Sequence, residues 1–342
     1  MEPSVYVPAY LESEYLRQHS DLTPAARELL HEEVAAHPDR YATTAHAQAL
    51  LAYMRVHDKL LRDLGRLEED VIDDEEFMRK ESKLYQDVRT ELFKIWHTDH
   101  QCIDAQLVDI QLSPASLDAQ LNDLLKLETT TREQLGHSAP AFDPEAPGLW
   151  DAAQLDGVTP AEATRTNPEV IGWLHTLEVL SSTCIGSGRY KPAASYSRMV
   201  MRAEGYPNHA EGTLLLALAR LEDEDGFFKA ARDSGADAND SPWFLLGRTI
   251  LLYKLGRKRA AQRALKEFAN RCDGGAFFLL NPTYLAPYLP VRPQPTESWS
   301  LAHQAVWEAD GIIVDTPDFA PWAASVDGID DISERFAARN GF

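Results

Sequence analysis

The stretch Gly188-Arg189-Tyr190-Lys191-Pro192-Ala193 is typical of a tight turn between two packed helices. A glycine permits the backbone conformation that such a turn needs, and a following alanine lets two helices approach closely, which a bulky side chain would prevent. The same spacing returns 68 residues further on, as Gly256 and Ala261 in the segment LGRKRAAQRALKEF. Because a fixed period is the mark of a repeat architecture, the recurrence predicts a series of similar helical pairs.

Helical periodicity dominates the rest of the chain. Between Phe77 and Trp96, apolar residues recur at intervals of three, four and seven, which marks one face of a helix of about five turns. Similar stripes occupy residues 45–64, 103–112 and 117–135. Strand-like sequence is scarce, and only Gly311 to Val314 reads as extended. We therefore predict an all-α fold.

The chain of 342 residues exceeds the size at which one hydrophobic core usually stops growing, so it must split into domains or extend as a solenoid. Residues 1–136 are predicted to form an N-terminal helical region that is partly repeat-like. Residues 137–165 lose the helical period and gain prolines, which indicates a loop or linker. Repeats are predicted over 166–290, followed by a C-terminal tail with short helices over 291–342.

The repeated turn resembles that of the tetratricopeptide repeat, whose 34-residue unit is half of the observed spacing. The middle unit departs from the family's pattern, since Glu222 stands at the expected glycine and Phe227 at the expected alanine. The segment WFLLG at 243–247 is similar to the family's W-x-x-L-G, but two residues out of register with Gly256. The third unit therefore either has a longer first helix or aligns less well.

More narrowly, the chain resembles bacterial tetratricopeptide proteins of unknown function that are related to the suppressor of tumorigenicity family. Their repeat block runs into N-P-x-x-x-x-Y-L and later T-P-G-A-L-x-W, to which NPTYLAPYL at 281–289 and TPDFAPW at 316–322 are similar. WHTDHQCIDA at 96–105 resembles their D-P-x-C-x-D-A turn. The resemblance spans Phe93 to Trp322. It implies a superhelix of antiparallel helix pairs and imports no catalytic residue.

The resemblance also implies a concave groove lined by the first helix of each unit. Arg220 and Lys254 would lie there one above the other, in a strongly acidic chain. We predict that they form a basic step that receives an acidic peptide segment or a carboxylate. The alternative is that both lie along the groove wall or pair with nearby acids. The inward-facing candidates are His175, Glu178, Ser182, His209, Arg220, Trp243, Tyr253 and Lys254.

The segment 96–105 admits a second interpretation, because His97, His100 and Cys102 are possible metal ligands. Structural zinc uses four ligands, usually as two distant pairs, and no second pair sits at ligand spacing. We favour a turn between stacked helices, with Asp99 as a cap and Cys102 packed inside. A metal-binding protein or a hydrolase that uses this cluster is the alternative function.

The charge of the chain restricts its partners. A formal net charge of −21 opposes contact with a phosphate backbone or an anionic membrane. The N-terminal segment lacks the basic and apolar parts of a signal peptide, and no apolar run approaches the roughly 20 residues of a membrane span. Cys102, Cys184 and Cys272 are odd in number and far apart, which favours reduced thiols and a cytoplasmic location.

These observations together predict a non-catalytic scaffold that needs no cofactor. It would bind another protein or peptide in the groove of an all-α, tetratricopeptide-like superhelix. Self-assembly through the exposed ends of the solenoid remains open.

Overall fold

The structure is a computed structural model, which describes residues 1–19, 21–69, 73–155, 157–207, 209–235, 240–285 and 292–342. Within these ranges every regular element is a helix, and one isolated β-bridge joins Phe142 to Trp150. The prediction of an all-α fold is confirmed. The chain separates into two compact units, the first formed by Met1–Thr176 with Arg202–Pro207 and the second by Leu177–Met201 with Asn208–Phe342.

The first unit is a group of helices, some of them long. Four of these begin after a hydroxyl residue whose side chain accepts a hydrogen bond from a backbone amide of the first turn, namely Thr23, Thr44, Ser116 and Thr159. The helices are α1 (Pro3–Gln18), α2 (Pro24–Ala36), α3 (Ala45–Glu69), α4 (Asp74–Thr98), α5 (Ile103–Gln111), α6 (Leu117–Ser138), α7 (Pro160–Arg165) and α8 (Pro168–Gly186) as far as Thr176.

The core of the first unit lies where α3 packs between α1 and α4. Tyr6, Leu50, Tyr53, Leu60 and Leu92 are almost fully removed from solvent there. Apolar residues of α3 recur at helical spacing, so one face of a 25-residue helix stays buried along most of its length.

The predicted linker, residues 137–165, has its ends in α6 and α7, and the described residues between these helices form loops and short turns within the first unit. Leu149 and Trp150 are buried, and the Trp150 indole donates a hydrogen bond of 3.0 Å to the Thr164 hydroxyl. The boundary between the two units falls elsewhere, at Thr176 within α8.

The second unit contains three successive helical pairs and a C-terminal group. The pairs are α8 beyond Thr176 with α9 (Tyr190–Val200), α10 (Ala210–Arg220) with α11 (Glu224–Asp233), and α12 (Pro242–Lys254) with α13 (Lys258–Arg271). The C-terminal group is α14 (Gly275–Leu280), α15 (Ser300–Val314), α16 (Phe319–Ala324) and α17 (Ile329–Asn340).

Each of the three pairs turns through a residue in the left-handed region. Gly188, Glu222 and Gly256 have φ of +72°, +61° and +72°. They lie at intervals of 34 residues, and the two alanines predicted to allow close helix packing, Ala193 and Ala261, are completely buried. The turns predicted at Gly188 and Gly256 are therefore present. Glu222 takes the backbone conformation of the glycine it replaces.

The third pair begins with a longer helix, which was one of the two explanations for its register. Helix α12 has 13 residues, whereas α10 has 11. Trp243 in its first turn is buried, and Gly247 lies against the ring of Phe227. The two additional residues account for the shift of WFLLG relative to Gly256.

The prediction that residues 311–314 are extended is wrong, because they form the last turn of α15. A Cβ at Gly311 would lie 2.9 Å from the Gly186 Cα atom, so the glycine allows α15 to pack directly on the end of α8. Ile312 is fully buried. Tertiary packing thus overrides the strand preference of the β-branched run.

None of the helices in the described ranges combines the length with the apolar character needed to cross a bilayer.

Candidate functional site

Helix α15 packs against α10 and α12, the two helices whose inner face was predicted to line an open groove. The C-terminal segment expected to be a tail therefore supplies a helix that covers this face.

Arg220 is engaged by the C-cap residue of α15. Its Nη2 and Nε atoms lie 2.5 Å and 2.9 Å from Oδ2 of Asp315, and the Tyr190 hydroxyl donates to the same oxygen at 2.9 Å. The Arg220 guanidinium also lies over the Tyr190 ring, 5.0 Å from its centroid. The hydrogen bond from Arg220 is the main reason why the pKa of Asp315 lies below its usual range, and the hydrogen bond from Tyr190 lowers it further.

Lys254 pairs with an acid as well. Its Nζ lies 3.5 Å from Oε1 of Glu222, and its charge also lowers the pKa of Asp315. Arg220 and Lys254 thus each pair with an acid, and they do not form an open basic step. The arrangement is the alternative weighed from the sequence, in which both cations pair with nearby acids.

Trp243 belongs to a buried polar cluster centred on Glu308 of α15. Oε2 of Glu308 accepts hydrogen bonds from the Trp243 indole at 2.9 Å and from the Thr213 hydroxyl at 3.0 Å. Oε1 accepts two from Arg292, at 2.6 Å and 2.9 Å, and that guanidinium lies 3.9 Å from the centroid of a Trp243 ring. These bonds fasten α15 to α10 and α12, and they leave the Trp243 side chain buried rather than lining a groove.

His209, Glu178 and Ser182 lie around one small cavity in the second unit. Its volume is about 30 Å³, which is room for about one water molecule. The Ser182 hydroxyl donates to the Val179 carbonyl at 3.0 Å, and His209 Nδ1 lies 3.4 Å from an Arg292 nitrogen. The structure therefore brings these three predicted residues together, in a space too small for a peptide.

Tyr253 packs on the C-terminal group. The Tyr253 ring contacts Phe319 and Trp322 of α16 at centroid distances of 5.2 Å and 4.6 Å. The Lys258 ammonium lies 3.2 Å from the centroid of the Tyr253 ring. This contact, like that of Trp243, is made with the segment that was predicted to be a tail.

His175 is not a groove residue, because it is fully buried within the first unit. Its Nδ1 lies 2.9 Å from Oδ1 of Asp104, its Nε2 lies 3.0 Å from the amino group of Met1, and the Tyr6 hydroxyl donates to Oδ2 of Asp104 at 2.6 Å. Burial raises the pKa of Asp104, but attraction to His175 and these hydrogen bonds outweigh it and bring the pKa below its usual range.

The segment 96–105 forms the turn predicted between two helices, since α4 ends at Thr98 and α5 begins at Ile103. Asp99 is the C-cap of α4 and contacts His46, whose Nδ1 lies 2.6 Å from its Oδ2. Cys102 is buried, its thiol lies 4.0 Å from the Ala49 carbonyl oxygen, and burial raises the pKa of that thiol.

The three possible metal ligands of this segment do not converge. The His97 ring packs on Phe93 at 3.6 Å between centroids, and lies 6.3 Å from the His100 ring, while Cys102 points into the core. In the described parts of the chain, no group of three His, Cys, Asp or Glu side chains is placed to hold a metal ion.

The second unit carries an open groove, which we call the C-terminal groove. Its volume is about 710 Å³. Phe278, Leu279 and Val306 contribute its buried apolar floor, and Val314, 70% exposed, stands at its wall. Sequence reasoning missed this groove, although both motif segments of the resemblance supply lining residues. These are Asn281, Pro282 and Leu285 from one segment and Pro317, Ala320 and Pro321 from the other.

The charged residues that line the C-terminal groove are all acids. Asp310, Asp330 and Glu334 line it, and among the residues that the structure describes no Lys or Arg does. Asp310 is half-buried, and burial raises the pKa of its carboxyl group. The groove therefore combines an apolar floor with negative charge.

Comparison with known proteins adds no relative. No family model, curated protein or solved structure matches this chain at a significant level.

Proposed function

We propose that this chain is a non-catalytic scaffold of tetratricopeptide-like helical pairs that binds another protein or a peptide in the C-terminal groove. The observation that carries the proposal is the groove itself. It is an open concavity of about 710 Å³ with an apolar floor, and apolar grooves are a common place for a partner's amphipathic segment to bind.

The turns of the second unit support the repeat interpretation. Positions 188, 222 and 256 share a left-handed backbone, and each joins two helices of one pair. A left-handed residue at every 34th position is what a repeating helix-turn-helix unit requires, even where the sequence has lost the glycine. The observed all-α fold is consistent with a superhelix of such units, and we include the superhelix in the proposal.

The contacts of α15 support binding at the C-terminal groove rather than along the inner face. The inner face is held by the Arg220–Asp315 ion pair and by the Glu308 cluster. A partner would have to break these bonds to reach it, whereas the C-terminal groove is already open.

The surroundings of Ser182 and Cys184, two side chains of nucleophilic type, support a non-catalytic role. Ser182 donates its hydroxyl to a backbone carbonyl. Burial raises the pKa of Cys184 to about 11, so its thiol stays protonated at neutral pH and is a poor nucleophile. All three cysteines are buried free thiols, which fits the cytoplasmic location that we propose.

Affinity capture from a lysate of the native host tests the proposal. The bait is wild-type protein beside Val314→Lys, which places a cation at the wall of the groove, four residues after Asp310. Lysine suits the end of a helix, so the variant should fold. Leu301→Lys, at the other end of α15 and also exposed, is the matched control.

We expect a protein that wild type and Leu301→Lys retain equally and that Val314→Lys retains at least about fivefold less, a loss of about 1 kcal/mol. If nothing exceeds the uncoupled resin, or if all three baits retain the same proteins, the groove is not a binding site and the proposal fails. Circular dichroism establishes that both variants are folded.

A further inference from the structure

The acids of the C-terminal groove lack counter-charges of their own. Among the described residues, none donates a hydrogen bond to the carboxylates of Asp310, Asp330 or Glu334 or pairs with them. Elsewhere in the same unit an exposed acid does pair, as Glu222 does with Lys254. The groove thus presents three unpaired carboxylates above an apolar floor.

We propose that the C-terminal groove binds a basic amphipathic segment of a partner protein, with apolar side chains on the floor and Lys or Arg against the three carboxylates. The inference rests on the proposed function and names the chemistry of its partner. An amphipathic helix that lays its apolar face into a groove is a common mode of peptide recognition.

Asp310 gives the strongest physical reason for a cation. It is half-buried in α15, where an ionised carboxylate loses hydration without gaining a partner, and its raised pKa reflects that loss. A lysine or arginine brought by a ligand would compensate the charge at a site already partly removed from water. The ion pair would therefore form where solvent screens it less than at an open surface.

Charge also favours a basic segment over two other possible occupants of the groove, a second copy of this chain and an acidic peptide. A second copy carries the same net charge of −21 and would be repelled by an acidic groove. An acidic peptide was the partner expected from Arg220 and Lys254. Neither residue is among the described lining residues of the C-terminal groove, and the two pair with Asp315 and Glu222 instead.

The probe for the test is a fluorescein-labelled amphipathic peptide, LKKLLKLLKKLLKL, titrated with the full chain and followed by fluorescence anisotropy. Two further peptides separate charge from apolar contact. One replaces every lysine by glutamate, and the other keeps the lysines and replaces every leucine by glycine.

The decisive variant is Asp330→Asn with Glu334→Gln, since both side chains are exposed and their replacement should leave the fold intact. Asp225→Asn with Asp233→Asn changes two other exposed acids of the second unit and alters the net charge equally. We expect the first pair to weaken binding at least fivefold and the control pair less than about twofold. Binding should also fall as salt is raised, because screening shortens the reach of the carboxylates.

Equal affinities for the two double variants would overturn the inference, as would equally tight binding of the glutamate peptide or of the leucine-free peptide. A concentration-dependent dimer in sedimentation that Val314→Lys abolishes would assign the groove to a second copy and overturn it as well.

The two proposals fail separately. If Val314→Lys loses its lysate partners but the lysine peptide does not distinguish the double variants, the scaffold stands and the basic partner is refuted. If the peptide distinguishes them but the lysate partners are unchanged, the chemistry of the groove is confirmed and the scaffold function at this groove fails.

Discussion

Arg220 in α10 and Asp315 at the end of α15 form an ion pair whose closest atoms, Nη2 and Oδ2, lie 2.5 Å apart. The ion pair joins the first helix of the middle helical pair to the C-terminal group, and the Tyr190 hydroxyl donates a hydrogen bond to the same carboxylate. A residue that the sequence offered as a ligand-binding cation is thus part of the contact that closes the inner face. Its expected role is in the stability of the α15 contact.

A double-mutant cycle measures that role. Arg220→Ala and Asp315→Ala should each destabilise the protein modestly, and the cycle should give a coupling energy of about 1 kcal/mol, since both side chains are partly exposed and screened by solvent. Urea unfolding followed by circular dichroism provides the free energies. A coupling energy near zero would show that the contact does not hold α15.

Glu222 carries a backbone cost that the glycines at the other two helix-to-helix turns avoid. It has φ of +61° where the other two turns use glycine. Replacing it with glycine should stabilise the protein by about 0.5–1 kcal/mol, because glycine adopts this conformation without the clash of a Cβ atom.

Gly188→Ala and Gly256→Ala provide the reverse test at the equivalent turns. A Cβ atom at either glycine would meet nothing within 4 Å, so the expected loss of about 1 kcal/mol would come from the backbone conformation alone. Thermal unfolding of all three variants measures the differences. If Glu222→Gly were destabilising, the Glu222 side chain, which pairs with Lys254, would matter more than its backbone.

The turns could be predicted from the sequence because their determinants are local. A glycine and an alanine within six residues define the geometry, so Gly188 and Gly256 identified two helical pairs, and the 34-residue period located the middle turn at Glu222. The third pair differed only by the longer α12.

Helix α15 and the groove could not be predicted in this way. The β-branched run at 312–314 favours a strand locally, and it is helical because Gly311 packs on Gly186, a contact between residues distant in sequence. The groove collects residues from α14 to α17 with no common period. Its two motif segments were visible in the sequence, but their convergence depends on tertiary packing.

Asp104 and His175 make the first unit sensitive to acid. The pKa of Asp104 is lowered in the folded state, so its ionised form contributes stability above the pKa of this carboxyl in the unfolded chain. That contribution is lost as the pH falls through the lowered pKa. Asp104→Asn should therefore destabilise the protein at neutral pH by about 2–4 kcal/mol, because His175 loses a buried charged partner.

Urea unfolding of wild type and Asp104→Asn between neutral and strongly acidic pH checks this prediction. The difference between the two proteins should shrink as Asp104 becomes protonated in the wild type. Asp87→Asn, at an exposed position of α4 in the same unit, is the control and should change stability little. A difference that stays constant with pH would assign the effect to packing rather than charge.

The contribution of Asp310 to stability should depend on pH in the direction opposite to that of Asp104, since burial raises the pKa of Asp310. A carboxyl group whose pKa is raised by folding contributes stability below its unfolded pKa, and that contribution is lost as the pH rises through the folded pKa. The ionised groove residue therefore costs stability at neutral pH. Asp310→Asn should raise the melting temperature there, with a gain of up to about 1 kcal/mol, and the gain should vanish in acid.

The same substitution should weaken binding of the lysine peptide, because it removes the least hydrated carboxylate of the groove. Asp330→Asn, at an exposed position, should weaken binding without raising the melting temperature. Opposite effects of Asp310→Asn on stability and affinity are expected of a residue that is kept for binding at a cost to the fold. If Asp310→Asn lowered the melting temperature at neutral pH, the carboxylate would have a stabilising partner within the protein, and the groove would not need a cation from outside.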